Sequence, residues 1–536
     1  MRSFLAFAEF ESLWQALTPE TPYGRDEKNK LIIYYDQPSM EKVWDQTELA
    51  GRLLEDLAPD PLRLSRLTHH LKRLPRFPDE ARPSYGEVEL FEVKKFVHNY
   101  TEILGLLPPE IRYGFVLPAA PGGLLALLDR GRQSAESFHL ADAYSPRLAE
   151  IRNRLRELES ALDQVRALRA QAIQESFGLA FGDRPFLVVE GARFPDLGQA
   201  QGLLQLEPYD EGRVLARALP GPGEWALLEE REGLLAQERI EEGVVLQRLG
   251  EALREALPGL RACRDAVTTF DLALARARLA QDRHLVRPQL GSALRVEGGR
   301  FLPCEALCAR LGVAYTPLDA EFSSAATVIF GSNMGGKTVV LKTLAFLQAC
   351  VQTGLFVPAL GFQTRLFRHL HFIGEGQGQG CQGLSGFGRE IHQVVEALSD
   401  REGGCLLLFD EFARTTSSRE AEALLSALLE WVARQPGCFT LCSTHFRGLP
   451  RPESVDFRRM AGLRAGDLQL ASAEGVDLEA RIRLIDRHMD YHLVEDTGDA
   501  AVSDALTIAA LLGLDPQIAA RARALLEFRR DRGEGL

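Results

Sequence analysis

The stretch TVIFGSNMGGKTVVLKTLAFL at residues 327–347 carries the strongest structural signal in the chain. Gly331, Gly336, Lys337 and Thr338 satisfy the pattern G-x-x-x-x-G-K-[ST]. The apolar run before the glycines predicts a strand, and the run after them predicts a helix. This is the context that a phosphate-binding P-loop requires. The stretch therefore predicts an α/β domain that binds a nucleotide.

The chemistry of such a loop follows from its residue types. Glycines let backbone N–H groups surround a phosphate, and the N-terminus of the helix adds a partial positive charge. We expect Lys337 to contact the β- and γ-phosphates of ATP and Thr338 to coordinate Mg²⁺. The candidate nucleotide-binding residues are Gly331, Ser332, Asn333, Met334, Gly335, Gly336, Lys337 and Thr338.

An acidic motif follows another apolar run, in GGCLLLFDEFARTTSS at residues 403–418. The run at 405–409 predicts a buried strand. Asp410, at its end, is placed to hold the metal through water, and Glu411 is placed to polarise the attacking water as a general base. Two acids after a strand would be ordinary alone, but after a P-loop they indicate an ATP-hydrolysing site.

A further strand is predicted in CFTLCSTHF at residues 438–446, which ends in Thr444 and His445. A lone histidine is usually structural. His445, however, comes one strand-and-helix unit after the two acids. That position favours a role in sensing the γ-phosphate.

Helical patterns dominate the part of the chain before residue 290. Over residues 145–177, apolar residues recur at alternating steps of three and four, which predicts one long helix. A second long helix is predicted from Glu224 to Pro258, and another over 260–283. A small β-like insert lies near 178–223. Two long helices that bracket such an insert are typical of an antiparallel arm with a tip domain.

Changes in composition predict three regions. Residues 1–80, of uncertain fold, run into the proline-rich segment LKRLPRFPDEARPS at 71–84,. Residues 81–290 form a mainly α-helical core and lever arm with the small insert. Residues 291–536 alternate short strands with helices and form the α/β P-loop ATPase domain with its C-terminal helices.

Bulk composition sets broad limits. The 536-residue chain has a formal net charge of −13, so it has no overall basic footprint for nucleic acid, although a local basic face would still suit such a partner,. It shows no long apolar span and no signal-peptide pattern, so a cytoplasmic location without membrane contact is expected. The eight cysteines include two C-x-x-x-C pairs, Cys304/Cys308 and Cys438/Cys442. Structural thiols are favoured over metal ligands.

GSNMGGKT, DEFARTTSS and STHF, in this order and spacing, resemble the ATPase domain of the MutS family, the DNA mismatch repair ATPases related to ABC proteins. The resemblance extends from FDLALARARLAQDRHLVRPQL at 270–290 to YHLVEDTGDAAVSDALTIAALLGLDPQIAARARALLE at 491–527. It implies an ATP-hydrolysing homodimer that uses ATP and Mg²⁺ and couples ATP binding to DNA binding.

The resemblance also assigns a role to the glycine-rich stretch GEGQGQGCQGLSGFGRE at 374–390. SGFGRE aligns with the family's S-x-F-x-x-E segment, which faces the nucleotide of the neighbouring subunit. The resemblance implies that Ser385 donates to the γ-phosphate across the dimer interface. It also implies that Phe387 packs and that Glu390 anchors the helix that follows.

The chain departs from the family in three respects. In the family, acidic residues usually precede the serine that aligns with Ser385, and glycines are fewer than in this chain. Ala413 and Thr415 stand where glycine is usual, which implies a less flexible loop after the acids. The mismatch readers of the family also carry a domain with a Phe-x-Glu wedge that kinks DNA. Phe7-Ala8-Glu9 matches those letters but not their context, so we interpret it as chance and expect no mismatch recognition by this chain alone. Whether a small partner subunit supplies that domain stays open.

Three interpretations of what the ATPase acts on stay open. The first is DNA, as in mismatch repair or recombination control. The second is a cobalamin-dependent lysine 5,6- or ornithine aminomutase, for which short family members act as reactivating ATPases. TPYGRDEK at 21–28 and VELFEVKKF at 88–96 resemble that subgroup. The third is an ABC-type structural ATPase unrelated to either.

Overall fold

The computed structural model describes residues 1–131, 134, 136–181, 186–194, 198–200, 202–331, 335–374, 386–399, 403–414, 416–446, 448–463, 481, 485–497 and 504–531. Over these residues, helices accompany one antiparallel and two mixed sheets, which confirms the α/β class. None of the described helices is both long enough and apolar enough to cross a bilayer.

The helices and strands are numbered in chain order. The helices are α1 (Arg2–Phe7), α2 (Glu11–Ala16), α3 (Pro22–Asn29), α4 (Gln37–Leu57), α5 (Pro61–Lys72), α6 (Glu87–Leu106), α7 (Pro109–Gly114), α8 (Gly122–Leu128), α9 (Pro146–Phe177), α10 (Pro222–Arg283), α11 (Leu302–Leu311), α12 (Lys337–Gln352), α13 (Gly386–Ser399), α14 (Ser418–Ala433), α15 (Asp504–Leu512) and α16 (Pro516–Asp531). The strands are β1 (Phe186–Glu190), β2 (Gly198–Ala200), β3 (Leu204–Asp210), β4 (Arg213–Ala218), β5 (Gln289–Leu290), β6 (Leu294–Gly299), β7 (Leu318–Phe322), β8 (Ala326–Phe330), β9 (Gly361–Thr364), β10 (His369–Gly374), β11 (Cys405–Asp410), β12 (Cys438–Thr444), β13 (Val455–Leu463) and β14 (Met489–Glu495).

The chain divides into two compact units. The first consists of Met1–Arg66, Pro109–Phe115 and Thr268–Leu536, and the second consists of Leu67–Pro108 and Val116–Val267. Helices α5 and α10 contribute residues to both units. The sequence did not predict that residues 1–66 group with the P-loop region. The boundaries expected near residues 80 and 290 stay predictions.

In the first unit, α1 and α2 are packed into the core around the P-loop helix. Phe4 and Phe10 belong to the same buried cluster as Phe346 of α12. The ring of Phe7 stacks on that of Phe372 in β10, with ring centroids 3.8 Å apart. The first two helices are therefore an integral part of this core.

Polar contacts also hold the N-terminal segment. The carboxylate of Glu9 lies 2.5 Å from Nζ of Lys342. Asp271 of α10 accepts hydrogen bonds from the backbone N–H groups of Glu20 and Thr21 at 2.9 and 2.8 Å, and from the Thr21 hydroxyl at 2.7 Å. Burial raises the pKa of the Asp271 carboxyl, and these donors partly offset that effect,. Since Phe7 and Glu9 are both engaged inside the unit, the structure gives no support to a wedge role.

A six-stranded sheet of the first unit positions the candidate site. Its strand order is β10-β11-β12-β8-β13-β14, and β14 is antiparallel to β13 while the other neighbours are parallel. The register pairs Asp410 with Ser443 and Ser443 with Ile329. The carboxyl ends of β11, β12 and β8 therefore meet at one edge of the sheet. A second sheet of this unit has the order β5-β9-β6-β7.

In the second unit, the predicted long helix over 145–177 forms as α9. Ser145 caps it by accepting from the Leu148 N–H at 3.3 Å, and Gly178 ends it with φ of 64°,. Helix α9 runs antiparallel to the first part of α10, because Arg152 near its start pairs with Glu238 at 2.6 Å and Arg166 further on pairs with Glu224 at 3.3 Å.

The small insert of the second unit is a four-stranded antiparallel sheet with the order β1-β4-β3-β2. Leu204, Leu206 and Val214 of this sheet are buried with Ile173 of α9. The predicted pair of helices bracketing a β insert is therefore present.

The predicted helix break at Pro258 was wrong. Helix α10 runs unbroken for 62 residues through that proline. Proline removes one backbone hydrogen bond and its ring crowds the preceding turn, at a cost of about 3 kcal/mol. The apolar stripe nevertheless continues across it, because Leu253, Leu257, Leu260 and Cys263 are all buried. Packing on both sides of the proline therefore keeps the helix continuous.

Replacing Pro258 with alanine is expected to raise the thermal unfolding midpoint, because alanine restores the missing hydrogen bond and relieves the clash. The expected gain in unfolding free energy is about 2–3 kcal/mol. Gly259→Ala is the matched control, since nothing lies within 4 Å of an added Cβ there. The control should gain about 1 kcal/mol from helix propensity alone. Calorimetry that finds no larger gain at position 258 than at 259 would contradict the assigned cost of the proline.

Candidate nucleotide site

The P-loop joins β8, which ends at Phe330, to α12, which begins at Lys337. Gly336 has φ of +90°, a left-handed backbone that favours glycine,. Lys337 is 3% exposed, and its Nζ donates to the carbonyl of Gly331 at 2.8 Å. The buried ammonium therefore lies against the loop at the N-terminus of α12, where a phosphate would bind. Gly335 is also buried in this turn.

Not every predicted site residue can be placed. Ser332, Asn333, Met334 and Ser385 lie outside the described residues. Their assigned roles stay predictions.

Asp410 and Thr338 meet at the carboxyl edge of the sheet. The Thr338 hydroxyl lies 3.0 Å from both carboxylate oxygens of Asp410. The hydroxyl of Ser443, in the neighbouring strand β12, donates to Asp410 Oδ1 at 2.6 Å. The aspartate is therefore held from two sides, by the P-loop helix and by an adjacent strand.

Glu411 adopts an unusual backbone conformation directly after β11. Its φ is +49°, which is uncommon for a residue with a side chain,. Its N–H donates to the carbonyl and the hydroxyl of Ser443 at 3.1 and 3.2 Å. Its carboxylate lies 3.4 Å from Nζ of Lys337 and 3.4 Å from a guanidinium nitrogen of Arg414. The predicted general base is thus placed beside the P-loop lysine.

Glu390 of α13 is buried, and its carboxylate accepts a hydrogen bond from the N–H of Ala413 at 2.9 Å. The structure thus links Glu390 to the loop after the two acids, in addition to the helix that contains it. Ala413 has φ of +61°, so it occupies a position that favours glycine,. This is one of the two positions where glycine is usual in the family. Thr415, the other, lies outside the described residues.

His445 follows β12 at the same edge of the sheet. It is exposed, and its ring centroid lies 4.5 Å from that of Phe446. His445 does not line the cavity that opens at this edge of the sheet. Its role as a γ-phosphate sensor stays a prediction.

A cavity of about 560 Å³ opens at this edge, within the usual size range of ligand pockets,. Its lining joins three groups of residues. The P-loop and acidic motifs contribute Gly336, Lys337, Thr338, Asp410 and Glu411; the region of α11 and the loop after it contributes Cys304, Cys308, Tyr315 and Thr316; and the C-terminal part of the sheet contributes Met460 and Tyr491.

The donor set in this cavity fits a magnesium ion. Mg²⁺ prefers oxygen ligands and is commonly held by one or two carboxylates together with substrate phosphates and waters. Asp410 and Thr338 face each other and supply such oxygens. Over the residues that the structure describes, no three histidine, cysteine or carboxylate side chains cluster as a metal site.

Sequence reasoning missed Ser443 and Tyr491 as parts of the site. Ser443 lies inside the STHF motif, so a local signal was present. Tyr491 comes from the distant strand β14, and its ring atom Cδ1 would lie 3.2 Å from a Cβ at Gly336. Its hydroxyl donates to Asp486 at 3.0 Å, and burial together with that carboxylate raises the pKa of Tyr491. No local pattern could have placed Tyr491 against the P-loop.

Comparison with known proteins identifies the same region. Residues 327–527 match the family model described as MutS domain V. The chain is 30% identical over 421 residues to an endonuclease MutS2 of Thermomicrobium roseum, a match that covers 74% of this chain and 49% of that protein. It is 31% identical over 318 residues to a DNA mismatch repair protein MutS of Anaeromyxobacter dehalogenans, covering 56% of this chain and 34% of that protein.

A third relative, the DNA mismatch repair protein MutS of Thermus thermophilus, is 30% identical over 297 residues, covering 55% of this chain and 34% of that protein. The chain thus spans between a third and a half of the length of these relatives. The domain match coincides with the P-loop, the acidic strand and the STHF strand described above. The chain belongs to the MutS family.

Proposed function

We propose that the chain is an ATP-hydrolysing switch that dimerises through ATP and couples ATP binding to DNA binding. The observation that carries the proposal is the convergence of Lys337, Thr338, Asp410 and Glu411 on one cavity at the carboxyl edge of a parallel sheet. Chemically, these are a phosphate-binding cation, two oxygen ligands for a metal and a general base.

Phosphate binding begins at the N-terminus of α12. The N–H groups there and the ammonium of Lys337 attract the β- and γ-phosphates of ATP. Asp410 and Thr338 hold Mg²⁺, which when bound neutralises part of the phosphate charge. The hydrogen bond from Ser443 keeps the Asp410 carboxylate oriented towards Thr338.

Hydrolysis uses Glu411 as the base. Its carboxylate accepts a proton from a water molecule while the water oxygen bonds to the γ-phosphorus. The bond from that phosphorus to the bridging oxygen breaks, and ADP leaves with the electron pair. The left-handed backbone at Glu411 is held by two hydrogen bonds to Ser443, and such fixed strain is typical of active sites,.

A second copy of the chain completes the site. Ser385 immediately precedes α13, and in the proposed dimer it donates to the γ-phosphate bound by the other copy. Phe387 of α13 packs against the same buried cluster that contains Phe412 and Ala413. Glu390 links α13 to the loop after the acids. Movement of Ser385 on hydrolysis would thereby be coupled to the catalytic loop.

DNA is the proposed client for two reasons. Relatives over the matched region are named endonuclease MutS2 and DNA mismatch repair protein MutS. Within an acidic chain, residues 61–76 also hold five lysines and arginines, two histidines and no acid. The exposed Lys72 and Arg76 of this segment would attract a phosphodiester backbone, whereas Arg73 already pairs with Glu136,. A cobalamin-dependent aminomutase as alternative client stays a prediction.

One assay separates these clients. Phosphate release is measured with ATP alone, with duplex DNA, and with an inactivated cobalamin-dependent aminomutase. DNA is expected to stimulate turnover, and the stimulation should weaken steeply between about 50 and about 200 mM salt because phosphate contacts release counterions. If no DNA tested changes the rate of ATP turnover, and the aminomutase raises it, the DNA proposal is wrong.

Ser443 gives a prediction about the metal. Ser443→Ala removes the donor to Asp410 and is expected to raise the Mg²⁺ concentration needed for half-maximal turnover by roughly 10-fold, the effect of about 1.5 kcal/mol for a hydrogen bond to a charged group. Ser443→Thr keeps the hydroxyl and serves as the matched control. A magnesium titration in which both variants shift alike would show that the hydroxyl does not orient Asp410.

A further inference from the structure

Two thiols line the nucleotide cavity on one face of α11. Cys304 and Cys308 are four residues apart, so they lie one above the other on the same side of the helix,. Both thiols share the lining of this cavity with Lys337 and Thr338, and with Val339, Val340 and Thr343 of α12. The thiols therefore face the same cavity as the first two turns of α12, which begins at the P-loop lysine.

These two thiols differ from the other described cysteines in access. Cys304 and Cys308 are partly exposed, whereas the remaining described cysteines are buried: Cys263, Cys350, Cys405, Cys438 and Cys442. Cys405 and Cys438 also form a close pair, with sulfur atoms 2.7 Å apart, but they are 1% and 4% exposed. A reagent in solution thus meets one accessible pair of described thiols, and that pair faces the cavity.

The environment of Cys304 indicates which reagents suit this thiol. Burial and the neighbouring Cys308 thiol raise the pKa of Cys304 to about 11, so this thiol is protonated at neutral pH. Reactions that need a free thiolate, such as alkylation or oxidation by peroxide, are slow at such a group. Condensation with a trivalent arsenic hydroxide suits it better, because the departing hydroxyl takes up the thiol proton.

The number of sulfur ligands in this pair also fits a trivalent arsenic compound. A trivalent arsenic that carries one organic substituent needs two further bonds, and the pair offers two sulfurs. A structural zinc ion would need four protein ligands. Within the described parts of the chain no third metal-ligating side chain joins the pair in a cluster.

We propose that Cys304 and Cys308 form a two-sulfur site for monosubstituted trivalent arsenicals, and that its occupation excludes nucleotide from the cavity. Two arsenic–oxygen bonds break, two arsenic–sulfur bonds form, and two water molecules leave with the two thiol protons. Arsenic remains trivalent, so no oxidant or reductant is needed. The exclusion of nucleotide rests on the proposed function, whereas the formation of the adduct does not.

Phenylarsine oxide is the probe. The purified full chain is treated with phenylarsine oxide. Its intact mass is then measured by mass spectrometry, and its binding of a fluorescent ATP analogue is assayed. One phenylarsenic group is expected per chain, together with loss of analogue binding that a competing dithiol restores. Saturating ATP before treatment should slow adduct formation.

Variants keep the outcome interpretable. Cys304→Ser and Cys308→Ser each leave one thiol and should lose the stable adduct, whereas Cys405→Ser and Cys381→Ser should keep it. An adduct that survives both single variants on α11, or one that leaves analogue binding intact, overturns the inference. If the protein binds no nucleotide before treatment, and treatment still forms the adduct at this pair, the proposed function fails and the thiol site stands.

Discussion

Replacing Glu411 with glutamine is expected to lower ATP turnover by about 10²- to 10⁴-fold, the usual contribution of a general base. Glutamine keeps the shape of the side chain but does not accept the proton of the attacking water. ATP binding should persist, because Lys337 and the N-terminus of α12 are unchanged. The variant should therefore accumulate as an ATP-bound dimer. Phosphate release, equilibrium nucleotide binding and light scattering measure the three parts of this result.

Glu430→Gln is the matched control for that experiment. Glu430 lies on α14 of the same unit and pairs with Arg434 on the surface at 3.5 Å. Its replacement should leave turnover unchanged. A Glu411→Gln protein that still turns over ATP at near wild-type rate would remove Glu411 from the role of base. Loss of nucleotide binding in that variant would instead assign Glu411 to ground-state binding through Lys337.

Mixing two inactive variants is expected to restore activity. Lys337→Ala removes the buried cation that is proposed to bind phosphate. Ser385→Ala removes the donor that is proposed to act from the opposite subunit, so each homodimer should be nearly inactive. In a mixed dimer, one composite site combines an intact Lys337 with an intact Ser385. Random exchange between equal amounts should therefore recover about a quarter of the wild-type turnover, since half of the dimers are mixed and each has one intact site.

The double variant Lys337→Ala/Ser385→Ala provides the control for mixing. When it is combined with either single variant, no composite site has both groups, so turnover should stay at the background level. Differently tagged subunits report whether mixed dimers have formed. Mixed dimers of the two single variants that form but stay inactive would rule out the trans role of Ser385.

The candidate site could be predicted from sequence where function depends on short motifs. The P-loop and the strand ending in Asp410 and Glu411 each carry their own strand or helix context, and parallel pairing brings strand ends to one edge. The departure at Ala413 was also visible, and its φ of +61° explains why glycine suits that position. The opposing hydroxyl of Ser443 depended on register, which sequence alone does not give.

Other parts of the fold could not be predicted because they depend on contacts between distant segments. Asp271 binds backbone groups at Glu20 and Thr21, which lie about 250 positions earlier in the chain. No local pattern marks such a pair. At Pro258 the local rule that proline ends a helix gave a wrong prediction. The buried apolar stripe on both sides of Pro258 outweighs the cost of one proline,.

The packing of α1 and α2 around α12 has a consequence for biosynthesis. Phe4, Phe10 and Trp14 leave the ribosome well before their buried neighbour Phe346, which follows more than 300 positions later. At roughly 5–20 residues per second these aromatic residues wait on the order of 15–70 s for that partner. During that interval their side chains remain open to chaperones. A fragment that starts at residue 291 would never receive them and would expose the surface they cover.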